Sequence, residues 1–396
     1  MKILIIHNDY QIQGGETVVV NAEIDLMTRA GHDVRFYQRK NSEINRFRIP
    51  QKLSFFPNAI YSSFSYKEIR KIIKNEKPDI AHIHNVFPLI SPSVYKALHD
   101  VHIPIVQTIH NVRFLCPNGL FYTHGSICER CKFGNTMYAI PLKCYRNSYT
   151  LSSIYAIGIG FNRRLGVFNL IDRYIALTEF SKNKFIEANF TDRRKISVLG
   201  NYLPKPLPTP SHKKPTQTYI AFLGRLSSEK GLPVLIKAMA LNRELTLKIA
   251  GVGPDAQHLD KMVEDLKIPN VQFVGSLSGE GKWDFLRNAI CTVMPSVCYE
   301  SFPLVALESM AVGTPVIASN LGGLPYIIED GKTGLLFSPG DHLDLASRIS
   351  ELVNDPERTR MMGEECVQTI NEKYTEAVHY RKLMEIYSQV LDEQRN

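Results

Sequence analysis

The chain has 396 residues, 44% hydrophobic and 22% charged, which is length and composition for two cored domains of an ordinary globular protein. No stretch approaches the roughly 20 apolar residues of a spanning helix, and the apolar part of Met1–His7 is too short for a signal peptide, so a cytoplasmic protein is expected. The net charge of +8 is uneven: residues 1–200 hold 27 Lys and Arg against 15 Asp and Glu, giving +12, and the remainder carries −4.

The basic first half is expected to meet something anionic. Nucleic acid is disfavoured because no recognised reading motif accompanies the charge. An anionic membrane surface, at the inner face of the cell membrane, or a lipid-phosphate acceptor fits at least as well. Arg46–Lys77 interleaves Arg48, Lys67 and Lys71 with Phe55, Phe64 and Tyr66, and Ile154–Phe168 pairs apolar residues with Arg163 and Arg164. Solvated helix faces over core aromatics would explain both segments equally well.

From the N-terminus, short apolar runs alternate with helical periodicity. Ile3–Ile6, Val34–Tyr37, Ile80–His84, Ile105–His110, Arg173–Leu177 and Ile196–Leu199 read as strands, and Glu16–Ala30 as a helix. Pro204, Pro206, Pro208, Pro210 and Pro215 make residues 201–217 a stiff linker. A second series follows, with strands at Tyr219–Leu223, Thr246–Ala250, Val271–Val274, Ile290–Met294, Val316–Ala318 and Gly334–Phe337. Its helices are expected at Gly231–Ala240, Asp255–Lys267, Gly281–Asn288, Pro303–Ala311, Leu343–Asn354 and Glu357–Tyr374. The pattern predicts an α/β protein of two Rossmann-like domains, residues 1–200 and 218–375, facing each other across a cleft with ligands at the strand C-termini. Residues 376–396 form an amphipathic segment, with Tyr380, Leu383, Met384, Tyr387 and Leu391 on one side, expected to cross back to the first domain.

The most legible chemistry lies at Glu300-Ser-Phe-Pro-Leu-Val-Ala-Leu-Glu308. Pro303 suits a first helical turn, so free N–H groups around Phe302, Pro303 and Leu304 would face an anion, with Glu300 and Glu308 in one cleft. Gly224-Arg-Leu-Ser-Ser-Glu-Lys-Gly231 follows the first strand of the second domain, and the cations Arg225 and Lys230 match a diphosphate leaving group without a bound metal. Gly14-Gly15 precedes a helix and permits close approach to a phosphate or sugar, though it is no dinucleotide fingerprint. Gly251, and Val274 in Phe273-Val-Gly-Ser-Leu, lie at strand ends where backbone groups reach a nucleobase. His110 would face the cleft and hydrogen-bond a sugar, whereas His82 reads as structural.

Cys116, Cys128, Cys131 and Cys144 lie within 29 residues as C-x11-C-x2-C-x12-C. A structural zinc bound by four thiolates is favoured, with free thiols or a disulfide as alternatives.

Taken together, Gly14–Val20, Ala30–Val34, Thr108–Asn111, Gly224–Gly231 and Glu300–Glu308 resemble the glycosyltransferase family 4 enzymes, retaining transferases of the GT-B fold; the cysteine cluster looks like that of a bacterial subgroup. The resemblance implies that Arg225 and Lys230 hold the diphosphate of a nucleotide-sugar, Glu300 the sugar hydroxyls and Glu308 the ribose. Amides near Phe302–Leu304 would take the distal phosphate, Gly15 would adjoin the transferred sugar, and His110 would lie at its reacting face. No catalytic cofactor is implied. The acceptor would be a glycan or lipid-linked glycan of a cell-surface polysaccharide, attacked on the front face of the sugar. Tyr326 and Asn111 depart from the family, where Glu and Asp are frequent. A nucleotide-sugar 2-epimerase of the same fold and a non-catalytic sugar-binding protein are the rival readings.

Overall fold

The computed structural model describes residues 1–10, 14–208 and 219–395. It separates into two units: 1–123, 128–201 and 379–396 in the first, 124–127 and 202–378 in the second. Pro210 and Pro215 of the expected linker lie outside the described residues.

The first unit is built on a six-stranded parallel sheet. Its spatial order is Asp33–Lys40, Lys2–Asp9, Ile80–Asn85, Ile105–Ile109, Arg173–Ala176, Ile196–Val198. Ile3, Leu4, Ile5 and Ile6 are all buried, as a continuous apolar run must be when helices cover both faces of a sheet. The helix Gly15–Arg29 puts Val20 and Met27 against Ile3 and Ile5. The last helix, Glu376–Arg395, adds Leu383, Ile386, Tyr387 and Val390 to that core, an i, i+3, i+4, i+7 spacing that makes one stripe. Leu391, expected on the same side, is only half-buried.

The second unit has its own six-stranded parallel sheet, in the order Val271–Gly275, Thr246–Ala250, Tyr219–Leu223, Cys291–Met294, Val316–Ser319, Gly334–Phe337. Ile220, Phe222, Leu247, Ile249, Val293 and Ile317 form its core with Leu235 and Ile236 of the helix Leu232–Met239. The strand order reverses between Tyr219–Leu223 and Cys291–Met294, and in such sheets the loops at that reversal make the ligand crevice. Among the described residues no helix is long and apolar enough to cross a membrane.

Candidate functional site

In the second unit, three loops leave the strand ends at the reversal point and are locked together by glycines. Gly231 has φ +69°, and a Cβ there would sit 1.8 Å from the Pro295 carbonyl oxygen. Gly251, at φ +142°, approaches the Gly224 oxygen as closely, and Gly253 presses on Leu226. Backbone bonds from Leu226 N to Val252 O (3.1 Å) and Val297 N to Glu229 O (2.9 Å) complete the seam. Gly323 N donates to Glu300 O at 2.7 Å, with its Cα against the Ser301 backbone. Gly251 therefore has a packing role that the sequence reading did not assign.

This seam brings Lys230 to Glu300. Lys230 Nζ lies 2.5 Å from Glu300 Oε1, which also accepts from Ser296 Oγ at 2.7 Å. Burial alone would raise the Glu300 carboxyl, but the Lys230 ammonium and the Ser296 hydroxyl outweigh it and hold the group below its ordinary value. Burial works against the Lys230 charge as well, and Glu300 more than compensates. Arg225 is not gathered in: it is exposed and makes no ion pair among the described residues. Glu308 pairs instead with Lys282 at 2.7 Å, a cation on the helix Gly279–Arg287 that sequence reasoning missed.

The expected helix start shifts by one residue. The helix is Leu304–Ala311 with Pro303 as its cap, and no side chain caps it, so its first amides are left to water or a ligand. Phe302 is buried against Tyr374, ring centroids 5.8 Å apart, and Pro303 has no N–H to offer, so of the three expected residues only Phe302 and Leu304 carry an amide that could meet an anion. Val274 is 39% exposed at the end of its strand, where Gly251 N donates to Gly275 O at 2.7 Å.

In the first unit Gly14 caps the helix Gly15–Arg29, and a Cβ on Gly14 would meet nothing within 4 Å. A shallow depression is lined by Glu16, Thr108, His110, Asn111 and Arg113. Burial pushes the Glu16 carboxyl up to about 8, against the pull of Arg113. Arg113 is caged by Tyr10, Tyr145 and Tyr155 at 5.8, 5.4 and 4.9 Å. Asn111 donates to Tyr10 Oη at 3.3 Å and accepts from Arg113 N at 3.0 Å. Burial brings His110 down to about 3 and His82 to about 4, so both are neutral. His82 is held at both nitrogens, by Thr108 Oγ1 and Tyr387 Oη at 2.7 Å each.

The sequence reading missed Glu16, Glu23, Arg113, His379 and Tyr387. A signal existed: Glu16 and Glu23 are two helical turns apart, and His82 and His84 alternate along one strand face with rings 4.3 Å apart.

The four cysteines are near neighbours, and burial, with Cys116, Cys144 and Cys128 close by, pushes the Cys131 thiol up to about 12. All seven cysteines are free. Among the described residues Glu23, His82 and His84 are the one trio of metal-capable groups gathered within 4.8 Å, so the sulfurs would have to draw closer to enclose an ion.

Residues 13–203 match the model of Glycosyltransferase Family 4, and residues 207–368 that of Glycosyl transferases group 1. An uncharacterised glycosyltransferase of Methanocaldococcus jannaschii is 26% identical over 394 residues, 95% of each chain. Sucrose-phosphate synthase from Thermosynechococcus elongatus superposes with a TM-score of 0.72 at 18% identity, covering 99% of each chain. Anabaena HepE, crystallised with UDP, gives 0.71 at 17% identity, covering 98% of this chain and 100% of its own. The structural neighbours are GT-B glycosyltransferases, and the two parallel-sheet units have that architecture.

Proposed function

We propose that this chain, a Glycosyltransferase Family 4 domain followed by a Glycosyl transferases group 1 domain, is a retaining glycosyltransferase. It moves a sugar from a nucleotide-sugar to a hydroxyl of a glycan or lipid-linked acceptor in cell-surface polysaccharide synthesis. The observation that carries this reading is the Lys230–Glu300 pair at the end of a strand whose loop also carries the unpaired Arg225. An exposed guanidinium and a half-buried ammonium in one loop suit a pyrophosphate, whose negative charge grows as the C1–O bond breaks. Glu300, kept ionised by Lys230, accepts hydrogen bonds from sugar hydroxyls, and Glu308 from the ribose. The uncapped helix start at Leu304 faces the distal phosphate.

Retention needs no covalent sugar–enzyme intermediate when transfer runs on the front face of the sugar, and the carboxyl groups of the first unit support that course. Glu16 is protonated near neutrality, which makes it a poor nucleophile. Asp9 is tied to His7, Thr17 and Gln38 at 2.9, 3.0 and 2.7 Å. In this retaining course the acceptor oxygen bonds to C1 on the face the diphosphate leaves as the C1–O bond to the diphosphate breaks, and its proton passes to the departing phosphate oxygen. Arg225 and Lys230 supply the positive charge for that departure, and His110 contacts the sugar.

An acceptor of amphiphilic, anionic character fits the first unit's surface. Lys67, Lys71 and Lys74 form an exposed stripe on the helix Ser63–Glu76, near the exposed Phe64 and Tyr61. A groove of about 650 Å³ opens among Phe47, Phe55, Phe64 and Leu89, with Arg39 in its lining. This surface is suited to an anionic membrane at the inner face of the cell membrane. A zinc ion held by Cys116, Cys128, Cys131 and Cys144 would brace the loop after His110, closing the four sulfurs around it.

The test is a nucleotide-sugar screen by thermal protection, starting with UDP-glucose, followed by transfer to candidate acceptors and determination of the product anomer. Inversion at the anomeric carbon would refute retention. Epimerised sugar from donor alone would identify an isomerase, and protection without turnover a binding protein.

A further inference from the structure

A chain of buried hydrogen-bonding groups in the first unit ends at His110. It begins at Glu23, on the helix Gly15–Arg29, whose Oε1 lies 2.9 Å from His379 Nε2. The other nitrogen of His379 is 3.2 Å from the Gly200 carbonyl oxygen, which can only accept. Glu23 Oε2 approaches His84 Nε2 to 3.3 Å, nearer than His82 Nδ1 at 3.8 Å; this is a close approach rather than an aligned hydrogen bond, and among the described residues neither Glu23 Oε2 nor His84 Nε2 is hydrogen-bonded elsewhere. His84 Nδ1 lies 2.9 Å from His110 Nε2, the two rings stacked at 5.2 Å.

The proton positions follow from these contacts. Burial would raise Glu23, but the His379 hydrogen bond outweighs it, so the carboxyl is ionised. Burial keeps His84 and His110 neutral, each with a single ring proton. Beside a carboxylate, the proton of His84 belongs on Nε2. Its Nδ1 is then a lone pair, and the 2.9 Å contact needs the proton of His110 Nε2. That leaves His110 Nδ1 bare.

We propose that Glu23 and His84 are positioning residues that hold His110 in its Nε2–H tautomer, so that a bare Nδ1 accepts a hydrogen bond from a hydroxyl of the bound sugar. The part of this concerning sugar rests on the reading of His110 given above; the tautomer rests on the contact distances together with the burial that keeps both imidazoles neutral. His82 lies beside the chain without belonging to it, since both its nitrogens are already occupied at 2.7 Å. His379 faces an acceptor at each nitrogen, so in Glu23→Gln it keeps the amide oxygen and leaves the NH2 to His84 Nε2, which reverses His84 and then His110.

The experiment is nitrogen-15 NMR of the full chain labelled at histidine, with His110→Gln to assign the resonances. The expected spectrum shows His110 Nδ1 unprotonated and Nε2 protonated, exchanging places in Glu23→Gln. That variant should also lose at least tenfold in kcat with little change in donor KM. A proton on His110 Nδ1 in the unsubstituted protein overturns the proposal, whether or not Glu23→Gln folds. An unchanged His110 spectrum in a folded Glu23→Gln overturns it equally. The spectrum is read without substrate, so transfer by His110→Gln at the parental rate would remove the sugar contact while leaving the tautomer assignment decided on its own evidence.

Discussion

Lys230 and Glu300 are 70 residues apart in sequence and 2.5 Å apart in space, joined across two loops that touch through Gly231 and Pro295. The pair is partly buried, with side-chain exposures of 26% and 12%, so each charge depends on the other. Arg225, in the same loop, has no such dependence, and the cations of one motif are therefore unequal.

That inequality separates two substitutions. Arg225→Ala should abolish transfer, by at least a hundredfold, and leave the melting temperature within error, because an exposed unpaired side chain contributes about 0.5 kcal/mol or less. Glu300→Ala should abolish transfer and also cost about 1–3 kcal/mol, since it strands a half-buried ammonium. Denaturant melts alongside transfer assays check both. Equal stability losses in the two variants would contradict the arrangement.

Two glycines that look alike in sequence should behave oppositely. Gly231→Ala forces a methyl onto the Pro295 oxygen from a positive φ and should destabilise the second unit by about 2–4 kcal/mol. Gly14→Ala meets open space at φ −133° and should melt like the parent. Lost transfer in a fully stable Gly14→Ala would then report a ligand at that helix start. Full activity would remove Gly14 from the donor site.

Stability should peak near pH 6.5. The unfolded chain protonates histidine near 6.5, whereas folded His82 and His110 wait until about 4 and about 3. The unfolded state thus binds more protons as pH falls below 6.5, and each histidine costs up to about 1.4 kcal/mol per pH unit until its folded value is reached. Glu16 acts in reverse: folded at about 8 and unfolded near 4.5, it loses stability as pH rises between those values. Thermal melts of Glu16→Gln should flatten the limb from pH 6.5 to 8 and leave the acid limb standing. An unchanged alkaline limb would place the Glu16 carboxyl in an ordinary environment.

Elemental analysis of protein purified without chelator should find about one zinc per chain, lost in Cys131→Ser. No zinc, with four titratable thiols, would leave Cys131 and Cys144 to packing against Ala139 and Ala156 instead.

Much of the fold was open to reading because parallel strands buried on both faces must be continuous apolar runs, and Ile3–Ile6 or Tyr219–Leu223 can be little else. The Arg225, Lys230 and Glu300 segments were readable for a similar reason: glycine and proline punctuate loops where backbones pack closely. Glu23, His84, Arg113 and Tyr387 left no such mark. Each is an unremarkable residue on its own element, and its chemistry comes from neighbours tens or hundreds of positions away.

The sequence by itself determined two doubly wound parallel sheets and the loops that end their strands, since periodicity and turn residues act over a few positions. Tertiary structure alone decided which charges met. It gave Glu300 to Lys230 and Glu308 to Lys282, left Arg225 without an ion pair among the described residues, and drew His379 and Tyr387 of the last helix to Glu23 and His82. Pairing energies and buried proton positions depend on distances of a few ångströms, which the order of residues along a chain does not encode locally.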